Sequence, residues 1–155
     1  MEIVEDTLGV PIATFLARPL FAHIATASPD GPRDSPVWFL YDEETETVWI
    51  DADRASNSFT DRIEEDERVA VSVVDSEPAR GLIQHVGVRG TATLEPFDAE
   101  RAGRLYAKYL GAGRETWDDR FHTYVEQPPD SATLVRVEPE TVVARDQSYR
   151  PAPTY

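Results

Sequence analysis

The chain predicts a mostly β fold: a small closed barrel of largely antiparallel strands with helices at its periphery. Three features carry this. About six short runs rich in Val, Ile, Thr and aromatic residues are separated by turn-forming residues. The turns are short and polar, Ser28 to Pro32 being the densest, so hairpins join neighbouring runs. The longest run, residues 82–94, carries Gly87 and Gly90, as a strand does where it bulges or bends at a barrel corner.

Taken in order, residues 7–18 predict a short helix with Leu8, Ile12, Phe15 and Leu16 on one face. Residues 23–27 predict a strand, and residues 35–42 (SPVWFLYD) a second, joined to it by a hairpin. Residues 48–52 form a third, with Val48, Ile50 and Ala52 on one side and Trp49 and Asp51 on the other. Residues 56–65 open on capping residues and place Phe59 and Ile63 one turn apart, so a short helix follows. Residues 69–74 (VAVSVV) read as a continuous apolar central strand. Residues 97–110 give the best helix, capped by Asp98, ended by Gly111 and striped with Ala102, Leu105, Tyr106, Tyr109 and Leu110. A further helix is expected over 115–124. Residues 132–137 and 141–144 close the chain as β structure broken at Pro139.

A length of 155 residues makes one domain, with a barrel core at about 20–145 and an irregular arm at 146–155. The absence of cysteine excludes disulfides, thiolate metal sites and Cys nucleophiles. No apolar run is long enough for a membrane span, and the start MEIVEDTLGV has no signal-peptide pattern, so the cytoplasm is the expected location. With 29 Asp and Glu against 15 Lys and Arg, the net charge is −14, which repels phosphate backbones and anionic lipid; nucleic acid and membrane are not expected partners. Lys108 is the only lysine. Acid excess of this kind suits concentrated salt, where screening removes self-repulsion. Three scattered histidines have no metal-ligand spacing, so no metal site is expected, and no GxSxG, P-loop or GxGxxG occurs. His23 is expected to face the barrel. The run from Glu64 to Glu67 reads as a solvated helix end, and Trp38, Trp49 and Trp117 as core or interface fillers.

The order HIATASPDGPRDSPVWF, VWIDAD, a polar loop and helix, DERVAVSVVD and QHVGVRGTATLEP resembles the pyridoxamine 5′-phosphate oxidase-like family over about half the chain. That resemblance implies an FMN-binding split β-barrel, antiparallel, forming a homodimer with flavin at the subunit interface. It also implies cofactor-binding positions. Asp34, Ser35, Pro36 and Val37, preceded by Arg33, would lie along the flavin ring, and Ile50 and Asp51 near the ring or ribityl chain. Arg54, Ser56, Asn57, Ser58 and Phe59 would hold the phosphate, and Gln84 or His85 would reach the ring edge. Typical FMN-type members keep a cation where this chain has Phe39 and another where it has Ser58 and Phe59, which leaves Arg33 and Arg54 as the nearest replacements. The function implied is an FMN-dependent oxidoreductase of unassigned substrate and catalytic residues. The alternatives are a deazaflavin-dependent reductase, or a non-enzymatic protein binding haem or another planar ligand.

Overall fold

The computed structural model describes residues 1–153. Eight strands form one sheet: β1 (Glu2–Asp6), β2 (Ala22–Thr26), β3 (Arg33–Val37), β4 (Phe39–Asp42), β5 (Thr47–Asp53), β6 (Arg68–Glu77), β7 (Leu82–Pro96) and β8 (Ala132–Asp146). The helices are α1 (Ile12–Leu16), α2 (Phe59–Glu65), α3 (Ala99–Leu110) and α4 (Asp119–Glu126). Neighbours run β3-β2-β6-β7-β8-β5-β4, all antiparallel, and β1 adds to β8 in parallel.

The two ends of that order, β3 and β4, are consecutive in sequence and separated only by Trp38. Val37 pairs with Ala22 of β2, and Phe39 pairs with Ile50 of β5. The chain therefore leaves one partner and takes up another within two residues, which rolls the sheet into a barrel. The single strand expected over 35–42 is two, because the extended backbone continues while its ladder changes sides.

Inside the barrel lie Ala22, Ile24, Val37, Phe39, Val48, Ile50, Val71, Val73, Val86, Val88, Val135, Val137 and Val142, all nearly inaccessible. Full burial of each large side chain contributes about 1.5–3 kcal/mol. Alternation is kept along β7, where Val86, Val88 and Ala92 point inward. In β8 the inward set changes parity, from Val135 and Val137 to Val142 and Ala144. One extra residue reconciles the two: Gly90 pairs with Pro139 but Arg89 pairs with Thr141, leaving Glu140 as a bulge. The expected break at Pro139 is thus a bulge within one continuous strand. At Gly90 an added Cβ would lie 2.0 Å from the Glu138 carbonyl oxygen, so the close approach of strands there requires glycine.

The barrel ends are plugged. Ile12, Phe15 and Leu16 of α1 close one end; Arg18, just past it, donates to Asp75 and Gln84, both at 2.8 Å. Phe59 and Ile63 of α2 enter the other end, where Arg62 Nε donates to Thr26 Oγ1 at 2.8 Å. Helix α1 is shorter than the predicted 7–18, since Gly9 has a positive φ of 73° and Pro11 stands at its N-cap. Asp98 caps α3 as expected, accepting from the Glu100 and Arg101 N–H groups. The helix expected over 115–124 is a single 3-10 turn (Arg114–Thr116) followed by α4. Helices α3 and α4 cover the outer side of β4 and β5 through Leu105, Tyr106, Trp117 and Val125, with Trp38 stacked on Tyr109 at 4.5 Å. The sequence reading does not anticipate β1. Residues 147–153 have no regular structure, and the Gln147 and Tyr149 N–H groups donate to the carbonyls of Ile83 and Gly81; Thr154 and Tyr155 of the predicted arm lie outside the described residues.

Candidate functional site

The outer side of the sheet opposite α3 and α4 is bare. Its outward residues form rows across the strands. Asp34, Ala25, Ala70, Arg89 and Thr141 make one row; Pro36, His23, Ser72, Gly87 and Val143 make the next. Most of these side chains are small, so the rows enclose a groove of about 470 Å³ lined by Val4, His23, Asp34, Ser72, Gly87 and Arg89, among others. A second hollow of about 350 Å³ continues it through Ala25, Ala70 and Arg89 towards Thr26, Pro32 and Arg68. Both volumes fall in the range of ligand pockets. A Cβ on Gly87 would meet nothing within 4 Å, so packing within this chain does not require glycine there. A side chain at 87 would stand in the groove floor.

Polar groups lie along the rim. His23 Nδ1 is 2.8 Å from Asp34 Oδ2, and both side chains are half exposed, 50% and 59%. His23 thus faces outward, contrary to expectation. Its neighbours Ala22 and Ile24 occupy the barrel, and alternation sends it to the other side. Arg89, where the two hollows meet, makes no ion pair among the described residues. At the far end Arg68 pairs with Asp66 at 2.6 Å. Arg62 reaches Thr26 and also donates to Ser58 Oγ at 3.0 Å, again without a carboxylate partner among the described residues.

The sequence-predicted positions divide among five places. Asp34 and Pro36 lie on the groove side, and His85 lies on the same side beyond Gly87, between Val74 and Arg145 on the neighbouring strands. Arg33, Ser35 and Val37 alternate to the other side of β3, and Ile50 is buried in the barrel. Gln84 is buried at the barrel end, accepting from Arg18 and donating to Asp146 at 2.9 Å, so of the pair Gln84 and His85 only His85 shares the groove's face.

Asp51 turns away from the groove and under α3, where Tyr106 donates its hydroxyl to Oδ2 while Oδ1 is buried without a partner. Burial pushes its carboxyl up to about 6, and burial with the facing carboxylate pushes the Tyr106 phenol far above its ordinary value.

The helix-start loop is occupied by its own contacts. Arg54, expected at the phosphate, is paired with Glu64, both side chains being about half exposed. Asn57 Oδ1 accepts from the Asp53 N–H at 2.8 Å, and Ser58 at the N-cap makes no capping bond. Ser56 gives its N–H to the Asp53 carbonyl, and Phe59 is core. Helix α2 spans only seven residues, which leaves little dipole to attract an anion. The residues that sequence reading missed are His23, Arg62 and Arg89. Strand alternation exposes His23, and Arg62 stands one helical turn after Ser58. No sequence pattern brings Arg89 beside His23; the β2-β6-β7 pairing does.

The fold agrees with solved structures. A conserved hypothetical protein of Mycobacterium tuberculosis, Rv2991, aligns at a TM-score of 0.73 with 16% identity, covering 97% of this chain and 98% of that one. An F420 reductase aligns at 0.58 with 27% identity, covering 86% and 98%. HutZ of Vibrio cholerae, described as a haem storage protein, aligns at 0.62 with 14% identity, covering 83% and 87%. No curated protein matches the sequence. The family model for pyridoxamine 5′-phosphate oxidase matches residues 11–146, almost the whole barrel, and the chain belongs to that family.

Proposed function

We propose that the outer groove binds a flavin-class cofactor, FMN or its deazaflavin counterpart F420, and that the protein is an oxidoreductase using it. The observation that carries this is the groove floor. It is built on the small residues Ala25, Ala70, Ser72 and Gly87, and a Cβ added at Gly87 would meet nothing within 4 Å. A planar tricyclic ring fits such a surface. Arg89 lines both hollows without a carboxylate partner among the described residues and supplies charge for a phosphate-bearing side chain, and Arg62, bonded to the lining residue Thr26, is a second such cation. When bound, the ring brings two-electron hydride chemistry, and the chain supplies binding and electrostatics. The 27% identity with an F420 reductase supports including the deazaflavin. On this proposal a second copy of the chain roofs the groove, because β1 leaves Ile3 52% and Val4 60% exposed beside it.

A second reading has its own support. His23 has its Nδ1 held by a carboxylate and its Nε2 free, as a haem-ligating imidazole does. Spectroscopic titration with FMN, riboflavin, F420 and haem separates these. FMN or F420 is expected to saturate, with riboflavin at least about tenfold weaker for want of a phosphate. A Soret band with haem and no flavin binding would replace the oxidoreductase by a haem protein. Equal affinity for FMN and riboflavin would remove the role of Arg62 and Arg89.

A further inference from the structure

We propose that His23 and Asp34 form an acid–base pair that delivers a proton to the molecule held in the groove. The proposal rests on the groove being the cofactor and substrate site, and it names residues for a chemistry not otherwise assigned. The pair is built by the β2-β3 hairpin, whose register sets Ala25 opposite Asp34 and His23 opposite Pro36, so the two side chains are diagonal neighbours on one side of the ladder. The Nδ1 to Oδ2 distance of 2.8 Å is that of a charge-assisted hydrogen bond. The Asp34 carboxylate accepts from Nδ1–H, which fixes the tautomer and leaves Nε2 as the reactive nitrogen. Nε2 makes no hydrogen bond among the described residues, and His23 lines the groove.

Every strand packed around the pair contributes to its surroundings. β6 supplies Ala70, Val71 and Ser72; β7 supplies Gly87, Val88 and Arg89; β8 supplies Thr141 and Val143; β1 supplies Val4. Arg89 is therefore the one other charged group lining this hollow among the described residues, and it favours a ligand that carries or develops negative charge. Acid, orienting carboxylate and cation surround one space. The ligand class this selects is a conjugated acceptor whose carbonyl oxygen or ring nitrogen gains charge as it is reduced.

The step is a proton transfer and nothing else. The Nε2–H bond of imidazolium breaks, and the proton bonds to the charged oxygen or nitrogen of the ligand. His23 is left neutral with its proton on Nδ1. A proton taken up from solvent before the next turnover restores the charge. No electron leaves the protein.

Two measurements test it. The first is ¹⁵N-histidine NMR of the full chain; it has three histidines, assigned with His85→Gln and His122→Gln. Neutral His23 is expected to carry its proton on Nδ1, and Asp34→Ala is expected to move it to Nε2. The same tautomer in both proteins overturns the pairing. The second is the affinity for FMN and F420 from about pH 5 to 8. The change in wild type is expected to exceed that in His23→Gln by about tenfold or more, the variant keeping only the change that the probe's own phosphate brings. A probe that binds with a pH profile unchanged in His23→Gln leaves the cofactor proposal standing and overturns the proton pair. Failure of both probes to bind wild type overturns the reading of the groove, and the proton role falls with it. A haem Soret band that His23→Gln abolishes makes His23 an iron ligand and also overturns it. His23 and Asp34 lie on the open side of the sheet, and unchanged thermal melts of His23→Gln and Asp34→Ala show that folding is not the cause.

Discussion

Asp51 is a carboxyl group placed among aromatic rings, with Tyr106 as its donor and one oxygen unsatisfied. Its folded value of about 6 lies above the unfolded one, so between the two the folded state holds more protons. Stability therefore falls as pH rises through that window, and the deficit persists at neutral pH. A rise of that size corresponds to about 3 kcal/mol. Asp51→Asn keeps an oxygen for the Tyr106 hydroxyl and removes the charge. The difference in urea-unfolding free energy between variant and wild type is expected to be near zero at acid pH and to grow to about 1–3 kcal/mol in favour of Asn above neutrality. A difference independent of pH would mean that Asp51 is not titrating in the cluster. Period-two alternation alone shows that Asp51 opposes Ile50. It does not show that α3 and α4 would cover that side, because helix docking is a tertiary event. The same alternation, applied to Ala22, His23 and Ile24, turns His23 outward.

Strand β7 holds two glycines with opposite reasons. Gly90→Ala forces a Cβ into the Glu138 carbonyl and is expected to cost more than about 2 kcal/mol, read as a lowered urea midpoint. Gly87→Ala meets only open space and is expected to leave the midpoint within about 0.5 kcal/mol of wild type. Reversal of that order would contradict the register of β7 against β8. Lys108 is a second device at this scale. Its Nζ donates to the carbonyls of Leu16, the end of α1, and Phe39, at 2.8 and 3.0 Å, and sits 3.4 Å from the centre of the Phe39 ring. Burial pulls its amine down to about 7, while the two carbonyls and the ring face favour the charged form. Lys108→Met removes a donor from both carbonyls, leaving Phe39 only the longer bond from the Tyr109 hydroxyl, and is expected to cost about 2–3 kcal/mol, with faster amide exchange in α1. The strands with strong alternation and hairpin turns are legible in the sequence. The split at Trp38 is not, since the backbone stays extended while its partner changes. Nor is β1, since EIVED is short and acidic and owes its ladder to β8.

The whole molecule joins a barrel that residues 22–96 make recognisable to a charge excess that the barrel does not need. Acids outnumber bases 29 to 15, so fourteen carboxylates stand in excess of the cations even though Arg145 takes Glu5 and Arg18 takes Asp75. Added salt screens that net repulsion, and the melting temperature is expected to rise from dilute buffer to about molar KCl. A flat or falling curve would contradict salt adaptation. The bare sheet side with Ile3 and Val4 at its edge is expected to close a homodimer, and light scattering at the mass of one chain would contradict that. The cofactor region is only half legible. The strand carrying Asp34 and Pro36 can be found from sequence, but Arg54 reads as the phosphate cation because its pairing with Glu64 is set by the fold of α2. The most direct measurement is calorimetric titration of FMN and F420 into wild type and Gly87→Val, with equal melting temperatures as the control. Saturable binding to wild type that Gly87→Val abolishes is the expected result; equal binding to both would place the cofactor elsewhere and contradict the assignment of the groove.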